Sequence, residues 1–382
     1  MNAVRISACG ALLGTCVLAA CGGNSNGGTT SSTSYAVTSL VSNGAVAAAH
    51  TDANLTNPWG IAFEPSGPVW VANNHSETST LYDGTGAAQT LVVTLPNGQG
   101  PAGAGATADP TGIVLYSGST DFVVSNGSGS GSAQFIYDGE GGTLSGWSPH
   151  TGNATVIMYD DGAGGAVYKG LALANTASGN RLFAADFHNN KVDVFDAAFH
   201  KVTPSGTFKD SSLPTGYAPF NVQFINGKLY VAYAQQLPPA NHDNADGAGL
   251  GLVDVYDVDG NFQQHLIPAG GALNAPWGMA LAPGDFGPFS GDLLVGNFGD
   301  GKINAYDPAS GAFKGTLADS NGAAIAYPGL WGLAFGNDAA SQPHNTLFFA
   351  AGINGENDGL YGRIDTRTIT GGSSGTCMGY GC

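Results

Sequence analysis

Asparagine and aspartate recur at the boundaries of short apolar runs in this sequence, as in "VWVAN" and "LLVGN". Six of these residues are candidate ligand-binding positions: Asn57, Asn73, Asn126, Asp186, Asn221 and Asn297. Amide and carboxylate oxygens suit a hard cation such as Ca²⁺, whose ligands would be the residues that close a run: Asn73, Asn126, Asp186 and Asn297. The alternative is structural, because Asn and Asp at strand ends also fix turns by bonding their own backbone.

Other side chains with catalytic or metal-binding chemistry are less clearly grouped. His75 and His188 each stand two residues beyond a run-closing position, where a pair could bind metal or exchange protons. Their repeats are not adjacent, so surface loop positions are the better interpretation. Lys169, in "YKG", is one of only 11 Lys and Arg residues, and we interpret it as a counter-charge.

Known catalytic motifs give no stronger candidate. The stretch "NHDNADGAGLG" at 241–251 resembles a calcium loop, but an alignment forced to place Gly247 at the sixth position puts Val253 rather than Glu at the twelfth. "GQGPAG" at 98–103 matches G-x-G-x-x-G, yet it follows no strand–helix–strand pattern. The sequence contains no HExxH or phosphate-binding loop, so both stretches are interpreted as ordinary loops.

The apolar runs belong to a unit that occurs six times. Its first strand reads "WGIAF" at 59, "TGIVL" at 111, "KGLAL" at 169, "FNVQF" at 220, "WGMAL" at 277 and "WGLAF" at 331. A second strand follows, such as "VWVAN" at 69 or "FVVSN" at 122, and then a third that ends on an aromatic and Asp, such as "STLYD", "QFIYD" or "INAYD". A more variable fourth strand completes the unit, and no long 3.6-residue periodicity indicates a substantial helix.

Four antiparallel strands repeated six times predict an all-β fold, a six-bladed β-propeller with four-stranded blades. The sixth repeat ends after its third strand, while "AVTSLVSNG" (36–44) resembles the fourth-strand text "KGTLADSNG" (314–322). We therefore expect the N-terminal strand to close the last blade, which would pair both free edges of the ring. In such a ring, first-strand starts and second-strand ends share one mouth of the central channel.

Composition agrees with a folded β-rich protein that does not bind nucleic acid. Hydrophobic residues make up 42% of the 382 residues, and 61 are glycine, which suits many tight turns. The formal net charge of −17 disfavours a nucleic-acid backbone as partner.

The termini predict export. Residues 1–20 resemble a lipoprotein signal peptide, and Leu18-Ala19-Ala20-Cys21 resembles the lipobox after which Cys21 is acylated. Residues 21–34 would form a flexible Gly/Ser/Thr tether, and the propeller would occupy 35–370. The Gly-rich tail, 371–382, contains Cys377 and Cys382, which could pair as a disulfide in an oxidising compartment.

Several longer stretches carry a family resemblance: "NPWGIAF", "AVYKGLAL", "GYAPFNVQF", "APWGMALAPGDFGPFSGDLLVGNFGDGKINAYD" and "GLWGLAFGN". Over residues 35–365 the chain resembles an uncharacterised family of exported bacterial propellers that are NHL-like in architecture. Some members of that family end in a PEP-CTERM sorting signal, whereas this chain lacks the Pro-Glu-Pro motif and the closing apolar helix. The resemblance implies fold and export, and no activity.

Three functions remain open at this stage. The leading hypothesis is a lipid-anchored, monomeric module at the cell envelope (the outer membrane in a Gram-negative cell) that binds a small molecule, a glycan or an envelope protein. The second is a Ca²⁺-dependent lactonase or esterase at the channel, by analogy of fold with gluconolactonases and paraoxonases. The third is a structural envelope or matrix component. Because asparagine has no tunable pKa, the Asn-rich positions favour binding over catalysis.

Overall fold

The computed structural model describes residues 31–100 and 107–370, and Thr33–Ile369 form one compact unit. Two strands precede the first blade, β1 Ser31–Ser42 and β2 His50–Thr51. Blade 1 consists of β3 Pro58–Phe63, β4 Val69–Asn73, β5 Thr78–Tyr82 and β6 Ala88–Thr94. Blade 2 contains β7 Pro110–Leu115, a separate hairpin of β8 Val123–Asn126 and β9 Gly129–Ser132, then β10 Phe135–Gly139, β11 Thr143–Trp147 and β12 Val156–Asp160.

The other four blades follow the same order. Blade 3 has β13 Tyr168–Thr176, β14 Gly179–Asp186, β15 Lys191–Phe195 and β16 Lys201–Val202. Blade 4 has β17 Tyr217–Ile225, β18 Lys228–Gln236, β19 Asn244–Ala245, β20 Leu252–Tyr256 and β21 Phe262–Ile267. Blade 5 has β22 Pro276–Leu281, β23 Leu293–Asn297, β24 Ile303–Tyr306 and β25 Phe313–Thr316. Blade 6 has β26 Leu330–Phe335, β27 Leu347–Ala351 and β28 Leu360–Thr370.

These sheets form the ring of a six-bladed β-propeller, which confirms the predicted fold. The only helices in the described ranges are two single 3₁₀ turns, Gly162–Gly164 and Gly287–Phe289, and neither is long and apolar enough to cross a membrane. In the last blade the strand order is β2-β1-β28-β27-β26. The N-terminal strand thus supplies the outer strand of blade 6, as predicted, and joins the two ends of the chain.

A ring of glycines lets the inner strands approach one another. A Cβ on Gly60 would lie 2.6 Å from the carbonyl oxygen of Thr111 in the next blade, and one on Gly278 would lie 2.3 Å from that of Trp331. Gly332 closes the ring, because a Cβ on it would lie 2.4 Å from the carbonyl oxygen of Trp59 in the first blade. Blade 4 has Asn221 at this position instead. The glycines of the recurring "WG", "TG" and "KG" pairs are therefore required by the close packing of neighbouring blades.

The repeated aspartate after the third strand fixes a turn. In blade 1, Oδ1 of Asp83 accepts hydrogen bonds from the backbone N–H groups of Thr85 (2.8 Å) and Ala87 (3.1 Å). Asp196, Asp257 and Asp307 do the same in blades 3, 4 and 5. This is an Asx turn leading to the fourth strand, so these carboxylates serve the fold rather than a ligand.

The strand assignment in blade 2 was wrong. "FVVSN" (122–126) was expected as its second strand, but β8 pairs only with β9 in the separate hairpin. The second strand is β10, which contains "FIYDG" and pairs with β7. The text "QFIYD" matched the third-strand pattern by its Tyr and Asp, yet Asp138 lies inside the blade and is buried.

Burial of Asp138 is expected to make the stability of the fold depend on pH. Its Oδ1 accepts hydrogen bonds from Thr111 Oγ1 (2.9 Å) and the Gly112 N–H (2.7 Å), while Oδ2 has no hydrogen-bond partner among the described residues. Burial raises the pKa of Asp138 to about 7. A carboxyl with a raised folded pKa stabilises the fold fully below its unfolded pKa of about 3.9, and this contribution is lost as pH rises through about 7.

Asp138→Asn is therefore expected to flatten the pH dependence of stability between pH 5 and pH 8, a change of a few kcal/mol. Urea unfolding at several pH values measures this directly. Asp307→Asn is a suitable control, because hydrogen bonds from Ser310 and Ala309 lower the pKa of Asp307 to about 2 and place its titration outside the window. Parallel curves for wild type and Asp138→Asn would contradict the prediction.

Candidate functional site

An aromatic plug closes the central channel near one mouth. Trp59 and Trp331 stack with ring centroids 3.4 Å apart, and Trp277 meets both edge-on at 5.8 Å. All three are first-strand residues that precede the ring glycines, and they are buried. Phe298 stacks on Trp331 at 4.2 Å and is partly exposed, which makes it the accessible part of the plug. A ligand entering this mouth therefore meets an aromatic floor.

Lys169 occupies the tryptophan position in blade 3. Its ammonium group lies 5.4 Å from the ring centre of Trp59 and 5.8 Å from that of Phe187, within cation–π range. It forms an ion pair with Glu140, and only 3% of the lysine side chain and 12% of the glutamate side chain are exposed. The Lys169 carbonyl accepts a 2.6 Å hydrogen bond from the Trp277 indole. The interpretation of Lys169 as a counter-charge is confirmed.

Glu140 stays ionised because of its partners. Burial alone would raise the pKa of Glu140, but Lys169, His242 and a 3.0 Å hydrogen bond from Asn74 hold that pKa below its usual value. Glu140 directly follows the second strand of blade 2, as Asn74 does in blade 1 and Phe298 in blade 5. All three line the mouth.

The loop between β18 and β20 brings three more polar residues to the mouth. His242 Nδ1 lies 3.0 Å from Asp243 Oδ1 and 3.9 Å from Glu140 Oε1. The hydrogen bond that His242 donates to Asp243 raises the pKa of His242 and lowers the pKa of Asp243. Asp246 lies further along the loop, and burial raises its pKa.

Two other carboxylates complete the mouth. Asp109 precedes the first strand of blade 2, and its φ of 37° is in the left-handed region that Asp tolerates better than most residues. Glu356 comes from the β27–β28 loop and accepts a 3.1 Å hydrogen bond from Asn57 Nδ2. Burial raises the pKa of both groups, and the nearby charge of Glu140 raises each further.

These residues surround a pocket of about 550 Å³, a size usual for small-molecule sites. It is lined by Trp59, Asn74, His75, Asp109, Glu140, Lys169, His242, Asp243, Asn244, Asp246, Phe298, Trp331, Gly355 and Glu356. Five carboxylates thus face one lysine, which Glu140 already neutralises. The pocket has a surplus of negative charge above an aromatic floor, an arrangement that favours a cation.

Of the six predicted candidates, Asn57 lies nearest the pocket. Besides its bond to Glu356, Asn57 contacts Asn74 Oδ1 at 3.3 Å and accepts a 3.2 Å hydrogen bond from Trp331. Asn73 behaves differently, since its amide donates to Thr78 Oγ1 (3.2 Å) and Thr80 Oγ1 (2.9 Å) of its own blade.

The structure does not bring the other four candidates to the pocket. Asn297 donates to the Ala272 carbonyl at 2.9 Å and to Asp300 at 3.0 Å. Asp186 accepts from the amide of Asn189 and pairs with Lys191 at 3.3 Å.

Asn221 and Asn126 have equally local contacts. Asn221 donates to the Trp277 carbonyl at 2.8 Å, at the ring position that the other blades leave to glycine. Asn126 lies in the β8–β9 hairpin, where its Oδ1 accepts from the N–H groups of Ser128 and Gly129.

The two histidines singled out in the sequence contact different residues. His75 is exposed, lines the pocket and has Nε2 3.4 Å from the Asn57 amide nitrogen. His188 Nδ1 instead contacts the Ala240 carbonyl at 2.9 Å. Cys21, Cys377 and Cys382, with the signal peptide, most of the tether and the tail, lie outside the described residues.

Sequence reasoning missed Glu140, His242, Asp243 and Glu356 as site residues. The last three lie in loops whose conformation no repeat pattern fixes. Glu140 was hidden by the wrong strand assignment in blade 2. Had "FIYDG" been aligned with "VWVAN", Glu140 would have fallen beside Asn74.

A second cavity, about 270 Å³, follows the inner strands beyond the plug. Its lining side chains are mostly apolar, among them Ile61, Met279 and Leu333, and the polar ones are Asn221 and Gln223. The polar chemistry of the channel is thus concentrated at the mouth described above.

Comparisons with known proteins identify relatives and a shared fold. No protein-family model matches the chain. The chain is 34% identical over 343 residues to "Uncharacterized protein R648" of Acanthamoeba polyphaga mimivirus, covering 87% of this chain and 80% of that protein. It is 32% identical over 341 residues to "Uncharacterized protein L690" of the same virus, covering 86% and 85%. A solved structural genomics protein of unknown function from Bacteroides thetaiotaomicron aligns with a TM-score of 0.51 at 13% identity, covering 88% of this chain and 77% of that one. This last likeness shows the fold alone.

Proposed function

This chain belongs to the same protein family as the mimivirus proteins R648 and L690, and we propose that it is a ligand-binding β-propeller whose mouth pocket takes a small, positively charged organic molecule. The observation that carries the proposal is the charge of the pocket lining, five carboxylates with one already neutralised lysine. A guanidinium or ammonium group would compensate that charge and could pack against the ring of Phe298.

Catalysis is less well supported at this pocket. The lining groups whose pKa values are raised are the carboxyls of Asp109, Asp246 and Glu356 and the imidazole of His242, and no described serine or cysteine that could act as a nucleophile is among the lining residues. A binding role needs only the charge, the aromatic floor and the depth of the pocket.

Titration with agmatine and choline, with glucose as a neutral control, tests the proposed binding. Both cations are expected to bind and glucose is not, and affinity should fall as salt screens the carboxylates. Glu356→Gln keeps the bond to Asn57 but removes one charge, so affinity should fall about tenfold. Asp307→Asn, on an outer turn, is the matched control and should bind like wild type. Equal or tighter binding of glucose, or no binding of either cation, would contradict the proposal.

A second candidate function, a cation-dependent hydrolase of lactones or esters, is favoured by one group of residues. The ligand atoms of Glu140, His242 and Asp243 lie within 4.8 Å of one another. Glu140 is already paired with Lys169, however, so a Ca²⁺ ion would have to displace the lysine from this ion pair.

Thermal unfolding with Ca²⁺ and with EDTA separates the two candidates, because a bound ion stabilises only the folded state. A shift abolished by Asp243→Asn would support the hydrolase, and one abolished by Asn73→Ala and Asn297→Ala would place the ion at the predicted Asn positions. No shift in wild type would remove the hydrolase from consideration.

We also propose that the protein is exported and lipid-anchored at the cell envelope, as in the bacterial family that its motifs resemble. The support is the apolar run ending in Leu18-Ala19-Ala20-Cys21 and the polar stretch after it. Detergent-phase partitioning of the protein expressed in a bacterium is the test. Wild type is expected in the detergent phase and Cys21→Ser in the aqueous phase. Aqueous wild-type protein would refute lipid anchoring.

A further inference from the structure

A buried Asp–Asp–His cluster lies away from the mouth, where blade 4 meets the connection from blade 3. Asp254 on β20 and His265 on β21 are paired across the strands, and Asp210 comes from the loop between β16 and β17. His265 Nδ1 lies 2.7 Å from Asp254 Oδ1 and 3.2 Å from Asp210 Oδ2. The exposed fraction is 0% for the Asp254 side chain and 4% for that of Asp210.

The charges of this cluster do not balance. Among the residues that the structure describes, neither carboxylate forms an ion pair with a lysine or arginine, and His265 is their only cationic partner. With both carboxylates ionised, even a protonated histidine leaves a net negative charge in the cluster. A divalent cation with neutral His265 would bring the sum to zero, and buried charge is costly unless it is compensated.

We propose that Asp210, Asp254 and His265 bind a divalent transition-metal ion, with Zn²⁺ or Mn²⁺ as the matching class. Tetrahedral ligands at about 2.0–2.2 Å from Zn²⁺ lie about 3.4 Å from one another. His265 Nδ1 lies 2.7 Å and 3.2 Å from the two carboxylate oxygens, and the ligand atoms of all three residues lie within 4.8 Å of one another, so the cluster has the size of a metal site. The imidazole nitrogen selects against Ca²⁺ and Mg²⁺, which prefer oxygen ligands throughout.

Neighbouring residues hold the ligands and leave an entrance. The Ser212 N–H donates to Asp210 Oδ1 at 2.7 Å, and the Tyr256 hydroxyl lies 3.5 Å from Asp254 Oδ2 and 2.8 Å from the Tyr233 hydroxyl. Such outer hydrogen bonds orient metal ligands. A cavity of about 350 Å³ is lined by both Asp210 and Tyr233, which gives an ion a path and room for water in the remaining coordination positions.

The ion would also have a structural effect. Asp254 and His265 belong to blade 4, whereas Asp210 belongs to the connection between blades. Metal binding would therefore tie this connection to the blade and stabilise the folded chain, increasingly so as the free metal concentration rises above the dissociation constant.

Metal content and thermal unfolding of the full chain test the proposal, after EDTA treatment and dialysis against Zn²⁺, Mn²⁺ or Ca²⁺. Wild type should retain about one Zn²⁺ or Mn²⁺ per chain and show a raised Tm, with no comparable effect of Ca²⁺. His265→Gln and Asp210→Asn should lose both the ion and the shift. His242→Gln, in the mouth cluster, is the matched control and should keep them.

Asp210→Asn guards against a folding defect, because it changes a loop residue and leaves the blade strands intact. Co²⁺ substituted into wild type should give visible d–d absorption that His265→Gln abolishes. The proposal is overturned if wild type binds no transition metal, if Ca²⁺ binds equally well, or if the ion is lost with His242→Gln rather than His265→Gln. Absence of a metal at Asp210, Asp254 and His265 would leave agmatine and choline binding at the mouth unchanged, so the two proposals fail independently.

Discussion

Gly332→Ala is expected to destabilise the propeller by about 1–3 kcal/mol or more. The new Cβ would lie 2.4 Å from the Trp59 carbonyl oxygen, and this contact joins the last blade to the first. Because the obstructing atom belongs to the backbone of another blade, no side-chain rotation can relieve the clash. Urea unfolding gives the loss directly.

Gly284→Ala is the matched control for this substitution. Gly284 has nothing within 4 Å of its Cβ position and no positive φ, so alanine there should be neutral or slightly stabilising. Gly278→Ala, 2.3 Å from the Trp331 carbonyl oxygen, should repeat the loss seen with Gly332→Ala. If Gly332→Ala and Gly284→Ala unfold at the same urea concentration, tight contact between inner strands is not what joins the blades.

Lys169→Met should be still more damaging, by about 3–5 kcal/mol, because it leaves Glu140 buried without its cation. Burial would then be opposed only by His242 and Asn74, so the pKa of Glu140 should rise. The variant should therefore recover stability as pH falls, whereas Lys169→Met combined with Glu140→Gln should recover much of it at every pH.

Urea unfolding of the two variants at pH 5 and pH 8 measures both effects. A loss below about 1 kcal/mol for Lys169→Met, typical of an exposed ion pair, would mean that the pair is solvated and does not organise the mouth. A loss independent of pH would mean that Glu140 is not the group left uncompensated.

The architecture was predictable because each blade has the same packing and turn requirements, which the sequence meets with similar residues. Alternating apolar strands, a turn aspartate such as Asp83 and a packing glycine such as Gly60 recur in most blades, so their spacing reports the number of blades. The closing strand was predictable for the same reason, since the first strand of the chain resembles a fourth strand.

The pocket lies at the end of the blades where the sequence predicts a channel mouth, but the second strands line it with residues one position later than the predicted candidates. Successive residues of a strand point to opposite sides, so a shift of one residue exchanges inside and outside. Asn73 and Asn297 end their strands with amides bonded within the blade, whereas the next residues, Asn74 and Phe298, line the pocket. The alternation of apolar and polar residues could not show which residues point toward the pocket, because both second strands are buried throughout.

Loop residues were beyond sequence reasoning altogether. His242 and Glu356 reach the mouth from connections that differ between blades, and nothing in a single repeat indicates where such a loop folds. The repeat also misled in blade 2, because Tyr137 and Asp138 reproduce the third-strand text inside a second strand.

A crystal of the protein soaked with agmatine tests the central claim, that the acidic mouth above the aromatic plug is the binding site. The predicted result is density for the guanidinium group at the mouth, within hydrogen-bond distance of Glu356 or Asp109 and against Phe298. Density only in the apolar cavity beyond the plug, or an empty mouth at saturating agmatine, would contradict it.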